Sequence, residues 1–454
     1  MPDLDVIFKA YDVRGTYPDQ LDESVAQAAG NAFVGFTGAR RVLVGRDARP
    51  SGRSLVAAFA DGATIAGADV VDLGLASTDL VYFAAGHLDS PAAMFTASHN
   101  PAQYNGIKLC GAGARPIGEA TGLREIQACV EKGVIEEAPS RGHLEQRDLL
   151  PEFVEHVHSF VETDALAPLR VVADTANGIG GLVVPAVFEG LPFRCSYLFL
   201  ELDGTFPNHP ADPIRPENLR DLQRALLEER ADVGLAFDGD ADRVFLVDDQ
   251  AQPVSGSLTT ALVARSILER VAADAPSEDR VIVHNLICSK VVPEIVRELG
   301  GTPVRTRVGH SFIKQVMAET GAIFGGEHSG HYYFRDNYRA DSGLIAALVV
   351  LEALSRTDVP LSELRKPLER YAASGEINRR VDDPRATIDE VAAAYAEHTQ
   401  DRLDGLTVDV GDWWFNLRPS NTEPLLRLNL EAADRAACDE HTAEVLALVD
   451  GEAD

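Results

Sequence analysis

Lysine is nearly missing from this chain of 454 residues, occurring only at positions 9, 108, 132, 290, 314 and 366. Arginine supplies the other cationic side chains. Asp plus Glu outnumber Lys plus Arg by 71 to 41, for a formal net charge of −30. Such a surface repels polyanions, which excludes nucleic acid and anionic membrane as partners. A phosphorylated small molecule would need a local cluster of Arg and Lys. Cysteine is scarce as well. Cys110, Cys129, Cys195, Cys288 and Cys438 are odd in number and hold no Cys-x-x-Cys pair, so they supply neither a disulfide framework nor a zinc site. Long apolar runs are absent too. The longest, Leu344 to Leu351, stops at Glu352, far short of the ~20 residues that span a bilayer. The start, Met1-Pro2-Asp3-Leu4-Asp5, is acidic where a secretory leader is basic, which predicts a cytoplasmic protein.

What is present has the balance of a soluble globular chain, 45% apolar against 25% charged. Its length implies several domains of about 100–150 residues each. Val42-Leu43-Val44, a helix across Leu55–Ala66 and Val70–Leu73 form a strand–helix–strand unit with mostly apolar strands. That is the pattern of a covered parallel sheet. A further helix is expected from Asp22, as N-cap, to Phe36. The rhythm restarts at Val171–Asp174 and runs to Val233–Phe237, then restarts again with Thr259–Val271, Val281–His284 and Lys290–Leu299. The end differs: three strands, Leu406–Val410, Trp413–Leu417 and Leu425–Leu430, precede a helix over Asp434–Val449, which is α+β in character. The chain therefore reads as α/β in four domains, three α/β units with mixed sheets and a smaller α+β unit, with boundaries near 150, 252 and 367.

Four loops carry chemistry. Thr96-Ala97-Ser98-His99-Asn100-Pro101, then Tyr104-Asn105-Gly106-Ile107-Lys108, follow the apolar strand Ala92–Phe95. Ser98 on such a loop is a candidate nucleophile, although no Gly-x-Ser-x-Gly elbow of the common hydrolases frames it. Asp238-Gly239-Asp240-Ala241-Asp242-Arg243 lies between the apolar stretches Val233–Phe237 and Val244–Val247. Its alternating carboxylates can converge on a hard cation such as Mg²⁺ or Ca²⁺, whose oxygen ligands lie at about 2.0–2.6 Å. An EF-hand is a poor match, because Arg243 stands where that loop needs Gly. Arg418-Pro419-Ser420-Asn421-Thr422-Glu423-Pro424, between two strands, combines an arginine fork with hydroxyl, amide and backbone donors suited to a phosphate. Gly325-Gly326-Glu327-His328-Ser329-Gly330-His331 reads as a glycine-flanked polar loop suited to adjacent hydroxyls. His156 and His158, on an expected helix whose apolar face is Phe153, Val157 and Phe160, lack the i,i+4 pairing of a helical metal site and are expected on a solvated surface. Trp413 and Trp414 are expected to pack.

Together with Tyr11-Asp12-Val13-Arg14-Gly15, Gly45-Arg46-Asp47 and Asp203-Gly204-Thr205-Phe206-Pro207-Asn208-His209, these loops resemble the α-D-phosphohexomutase family, in its phosphomannomutase/phosphoglucomutase branch. The resemblance spans the chain and implies an active-site cleft among the four domains. It implies an isomerase in which Ser98 carries a phosphoryl group and a hexose 1- or 6-phosphate is converted through a hexose 1,6-bisphosphate intermediate and activator. By the same resemblance Mg²⁺ would bind Asp238, Asp240, Asp242 and a Ser98 phosphate oxygen. Lys108, His310 and Arg14 would serve in proton transfer or charge stabilisation. Tyr11, Arg243, Glu327, Ser329 and His331, with Arg418, Ser420, Asn421, Thr422 and Arg427, would hold the sugar phosphate, the only class of partner implied. His328 in its loop matches the mannose/glucose branch rather than phosphoglucosamine mutases. A phosphoglucosamine mutase and a sugar-phosphate phosphatase on the same scaffold are the enzymatic alternatives, and a non-catalytic sugar-phosphate sensor would need a damaged nucleophile or metal loop.

Overall fold

In the computed structural model of this chain the described residues are 3–272, 275–419 and 425–451. They condense into two compact units: one runs to Ser255 and takes in Ser329–Leu364, and the other comprises Gly256–His328 and the chain from Arg365 onward.

In the first unit, one mixed sheet has the strand order Val13–Thr16, Tyr104–Gly111, Ala92–Phe95, Arg41–Arg46, Asp69–Leu75, Leu144–Gln146. Arg41–Arg46 pairs in parallel with both neighbours, while Tyr104–Gly111 runs antiparallel beside Ala92–Phe95. The side chains explain the layering. All four residues of Ala92–Phe95 are buried, as a strand covered on both faces requires. The helices Glu23–Thr37 and Gly52–Ile65 supply one cover, with Phe33 and Phe59 packed in the same core. Asp22 caps the first of them by accepting from Val25 N at 2.9 Å, as its sequence predicts.

The second sheet of this unit orders Pro253–Val254, Val244–Asp248, Val233–Phe237, Arg170–Asp174, Arg194–Leu198. Val233–Phe237 is buried throughout, parallel to Arg170–Asp174 and antiparallel to Val244–Asp248. Two central strands, Ala92–Phe95 and Val233–Phe237, thus deliver their carboxyl ends to the Ser98 and Asp238 loops.

The second unit contains parallel strands Thr302–Thr306, Val281–Asn285 and Phe324–Gly326, and a six-stranded antiparallel sheet. In that sheet Trp414–Pro419 lies between Leu406–Asp409 and Leu425–Ala432. The helices Pro384–Ala394 and Arg435–Val449 bury Val391 and Val445 in its core. Three sequence readings are corrected here. Gly325 and Gly326 are strand residues, so the polar loop begins at Glu327. His156 and His158 are half-buried rather than solvated: His156 Nε2 is 2.9 Å from Asn337 Oδ1 and His158 Nε2 2.6 Å from Val187 O. The amphipathic pattern of their helix is real, with Phe153 and Val157 buried, but neighbouring segments cover its polar side. Phe160, read as part of the apolar face, falls beyond the helix end at His158. Trp413 and Trp414 pack as expected, the first stacking on His441 and the second donating to Glu431 Oε1 at 3.0 Å. Among the described residues no helix is long and apolar enough to cross a membrane.

Candidate active site

Ser98 leaves the strand Ala92–Phe95 through a tight turn held by local bonds. Its N–H donates to Thr96 Oγ1 at 2.9 Å, and Asn100 N donates to Ala97 O at 2.9 Å. Ser98 has φ of +49°, a left-handed conformation that costs a side-chain-bearing residue about 1–2 kcal/mol and persists only where the surroundings impose it. The surroundings include the acidic loop. Gly239 passes so close that a Cβ there would stand 2.4 Å from Ser98 O. The Ser98 hydroxyl donates to Asp238 Oδ2 at 2.7 Å and accepts from Arg243 Nη2 at 3.0 Å. His99 Nδ1 lies 2.6 Å from the same guanidinium. Burial and the charges of Arg243 and Arg14 push the His99 imidazole down to about 2, so it stays neutral and accepts that bond.

Asp238, Asp240 and Asp242 are all buried, and one oxygen from each lies within 4.8 Å of the others. Lys108 Nζ is 2.7 Å from both Asp240 Oδ2 and Asp242 Oδ2. Thr78 Oγ1 donates to Asp240 Oδ2 at 2.5 Å. Burial opposes charge at Lys108, yet Asp240 and Asp242 outweigh it and hold the ammonium protonated well above its ordinary range. Burial, together with Asp240 and Asp242, pushes the Asp238 carboxyl up to about 7 against the pull of Arg243. Two carboxylate oxygens, Asp240 Oδ1 and Asp242 Oδ1, are buried without a hydrogen-bond partner. A buried orphan oxygen is costly, and a cation is the partner that two such oxygens suit. Three carboxylates against Lys108 and Arg243 leave a negative excess. A phosphoryl group on Ser98 would deepen it by about 1.5–2 charges, so the donor set fits a divalent hard ion.

Four family models match this chain in sequence order. The phosphoglucomutase/phosphomannomutase α/β/α domains I, II and III cover residues 5–135, 151–252 and 255–371, and the C-terminal domain covers 376–448. The chain belongs to the phosphoglucomutase/phosphomannomutase family. A phosphomannomutase of Salmonella typhimurium is 40% identical over 97% of this chain and 98% of its own. The phosphohexose mutases of Xanthomonas campestris pv. campestris are 38% identical over 98% and 99%. A crystal structure of a phosphoglucomutase/phosphomannomutase family protein from Burkholderia thailandensis superposes with a TM-score of 0.88 at 34% identity, over 100% of this chain and 99% of that one.

Of the residues anticipated from the sequence, the first unit of this phosphohexomutase gathers Ser98, Lys108, Asp238, Asp240, Asp242, Arg243 and Arg14. Arg14 pairs with Asp12 and donates to Asn100 Oδ1 at 2.7 Å. His331 joins them: its Nδ1 is 2.8 Å from Asp341 Oδ2 and 3.9 Å from Asp242 Oδ1. Burial would lower its pKa, but Asp242 and Asp341 prevail and raise it. Tyr11 lies on the bend before the strand Val13–Thr16, and Ser329 lies in the turn leading to His331.

The second unit holds Glu327, His310, Arg418 and Arg427. Glu327 is buried, its Oε2 accepting from Asn285 Nδ2 at 3.0 Å. His310 opens the helix His310–Thr320. Arg418 and Arg427 are strand partners that share Glu376, at 2.9 and 3.7 Å, and among the described residues the buried Nε of each has no hydrogen-bond partner. Ser420, Asn421 and Thr422 lie outside the described residues.

Sequence reasoning missed Thr78, Asp341 and Arg49. Arg49 stands two residues past the Gly45-Arg46-Asp47 motif, which was the available signal. Thr78 and Asp341 belong to no motif.

Proposed function

We propose that this enzyme interconverts the 1- and 6-phosphates of mannose and of glucose, carrying the transferred phosphoryl group on Ser98 through a hexose 1,6-bisphosphate. The observation that carries the reading is the Ser98 hydroxyl, 2.7 Å from Asp238 within a buried three-carboxylate cluster that has two unpartnered oxygens. Asp238, Asp240 and Asp242, with a phosphate oxygen on Ser98, would hold Mg²⁺. When bound, the ion neutralises charge on the phosphoryl oxygens, which phosphoryl transfer requires.

The chain's own residues do the rest. The free hydroxyl of a bound hexose phosphate forms the new O–P bond as the P–Oγ bond of Ser98 breaks. Arg243, 3.0 Å from Ser98 Oγ, stabilises the departing serine oxygen. Lys108, held protonated, acts as a cation toward the transferring group rather than as a base. Arg14 and His310 are the remaining candidates for moving the hydroxyl proton. Glu327, Ser329, His331 and Tyr11 hold sugar hydroxyls. Arg418 and Arg427, with Ser420, Asn421 and Thr422, hold the phosphate that does not react. The two unpartnered guanidinium Nε–H groups favour an anion there. The same reading divides the chain into four domains near residues 150, 252 and 367 and places the enzyme in the cytoplasm, acting on small sugar phosphates.

Ser98→Ala tests it in the presence of glucose 1,6-bisphosphate. The expected result is loss of turnover by at least about 10⁴-fold, since the covalent route is removed outright. Full turnover in that variant would sink the phosphoserine mechanism. Parallel rates on mannose 1-phosphate, glucose 1-phosphate and glucosamine 1-phosphate test the sugar, and activity on the last alone would overturn the branch.

A further inference from the structure

Two stretches that mark the family in this sequence, Gly45-Arg46-Asp47 and Asp203–His209, have no role in the chemistry above. Arg49 joins them. Its guanidinium is wholly buried, and its donors reach one counter-charge and four backbone carbonyls. Nε donates to Asp47 Oδ2 at 3.1 Å. Nη1 donates to Pro101 O at 2.8 Å and Tyr104 O at 2.9 Å, and Nη2 to Ser98 O and Asn100 O at 2.7 Å each. Within seven residues of the Ser98 loop, four carbonyls therefore depend on one side chain.

Asp47 reaches the loop from the other direction. Its Oδ2 accepts from Thr96 Oγ1 at 2.7 Å, and that hydroxyl oxygen in turn accepts from Ser98 N. Both the N–H and the C=O of Ser98 are thus held by the Asp47–Arg49 pair, directly or through Thr96. The guanidinium lies over the Phe206 ring, 5.1 Å from its centroid. The Asp203–His209 segment reaches that position because Gly204 carries no Cβ; one there would stand 2.4 Å from Ala48 O and 2.5 Å from Arg49 Cα. The backbone of the Ser98 loop is therefore anchored by a guanidinium that is itself wholly buried.

We propose that Arg49 is the positioning residue of the Ser98 loop, with Asp47 as its counter-charge and Phe206 as its floor, and that it fixes where the phosphoryl group stands in both transfers. The proposal rests on Ser98 being the phosphoryl carrier. Only a guanidinium fits. A lysine offers three donors from one point, where five in a planar fork are in use.

The test compares wild type, Arg49→Lys and Phe206→Leu. Each is treated with glucose 1,6-bisphosphate, weighed as intact protein for phosphoryl uptake, assayed for kcat and KM, and melted. Wild type is expected to take up one phosphoryl group. Its failure to do so overturns the phosphoserine reading and this proposal together. With phosphorylated wild type in hand, Arg49→Lys is expected to lose about 10²-fold in kcat, the cost of a misplacement of about 1 Å. Its KM for the hexose phosphate should shift by less than about threefold, because no sugar contact is removed. Phe206→Leu is expected to lose about fivefold in kcat with the same unchanged KM.

An Arg49→Lys kcat within about twofold of wild type overturns the clamp and leaves the phosphoserine intact. A fall in kcat matched by an equal fall in folded fraction likewise overturns it, since a merely structural residue would behave so. If Arg49→Lys does not fold, Phe206→Leu decides, and an unchanged kcat there overturns the proposal.

Discussion

In the unit that holds Ser98, the Lys108 ammonium sits between Asp240 and Asp242, 2.7 Å from each. In the other unit, the Glu376 carboxylate sits between Arg418 and Arg427, at 2.9 and 3.7 Å. Each is an internal counter-ion of opposite sign, and each leaves polar atoms of its neighbours unpartnered: two carboxylate oxygens at one place and two guanidinium Nε atoms at the other. They differ in depth. The carboxylates are buried to the last percent, whereas Arg427 and Glu376 are about a third exposed. An uncompensated charge costs far more in the first setting than in the second. The lesson is one of tolerance: the buried acidic cluster cannot stand without a compensating cation, whereas the half-exposed arginine pair can.

That comparison can be broken experimentally, beginning with its strongest side. Removing divalent ions with a chelator should abolish mutase activity by about 10³-fold or more, and added Mg²⁺ should restore it. Activity that survives exhaustive chelation would show that Lys108 and Arg243 suffice. Lys108→Met should lower kcat by about 10²-fold. It should also make the melting temperature of the ion-free protein fall and its rise on adding Mg²⁺ exceed that of wild type, because the ion then replaces the compensation that Lys108 gave beside Arg243. An equal rise in both would end the counter-ion account of Lys108.

Glu376→Gln should act the other way, tightening inhibition by inorganic phosphate by about threefold, the scale of a half-exposed ion pair. Weaker inhibition would mean that Glu376 orders the arginines instead of competing with the ligand.

The smallest effect falls at a pair outside both regions. His209 Nε2 is 3.0 Å from Asp174 Oδ2. Burial would lower the imidazole pKa, but the Asp174 bond and charge outweigh it and raise it above the ordinary value of 6.5. A raised histidine stabilises the fold fully below its unfolded pKa and loses that stabilisation as pH climbs through the folded one. His209→Gln should therefore cost about 0.5–1 kcal/mol more at pH 5.5 than at pH 9, measured by urea unfolding. A cost independent of pH would show that the ring acts by packing alone.

Much of this architecture was legible before any coordinates, for identifiable reasons. The helix from Asp22 announces itself through a capping side chain, and the buried strands Ala92–Phe95 and Val233–Phe237 through unbroken apolar runs. Ser98 and the three aspartates stood out because each chemical group lies within a few residues of its strand end. What could not be read depends on long-range meetings. Thr78 bonds Asp240 across 162 positions, and no local pattern marks a threonine at a helix start as the partner of a carboxylate. His156 illustrates the reverse failure. Its helix has the periodicity of a surface helix, and only the arrival of Asn337 and the Phe83 ring covers the polar side. Gly325 and Gly326 misled because glycine usually punctuates loops, whereas here both lie within the strand Phe324–Gly326.

The approach of Gly239 to Ser98, with the Thr78–Asp240 tie behind it, bears on how such enzymes can be recombined. Ser98 and the acidic loop are separated by 140 positions and follow strands of different sheets, yet they share one interlocked surface with no room for an added methyl at Gly239. A hybrid that takes residues up to about 150 from one relative and the remainder from another inherits two half-sites whose backbones were shaped separately. Crossovers placed inside this pair should yield stable but inactive proteins far more often than crossovers placed after residue 364, beyond the last segment of that unit, and a library of such hybrids would read the boundary directly.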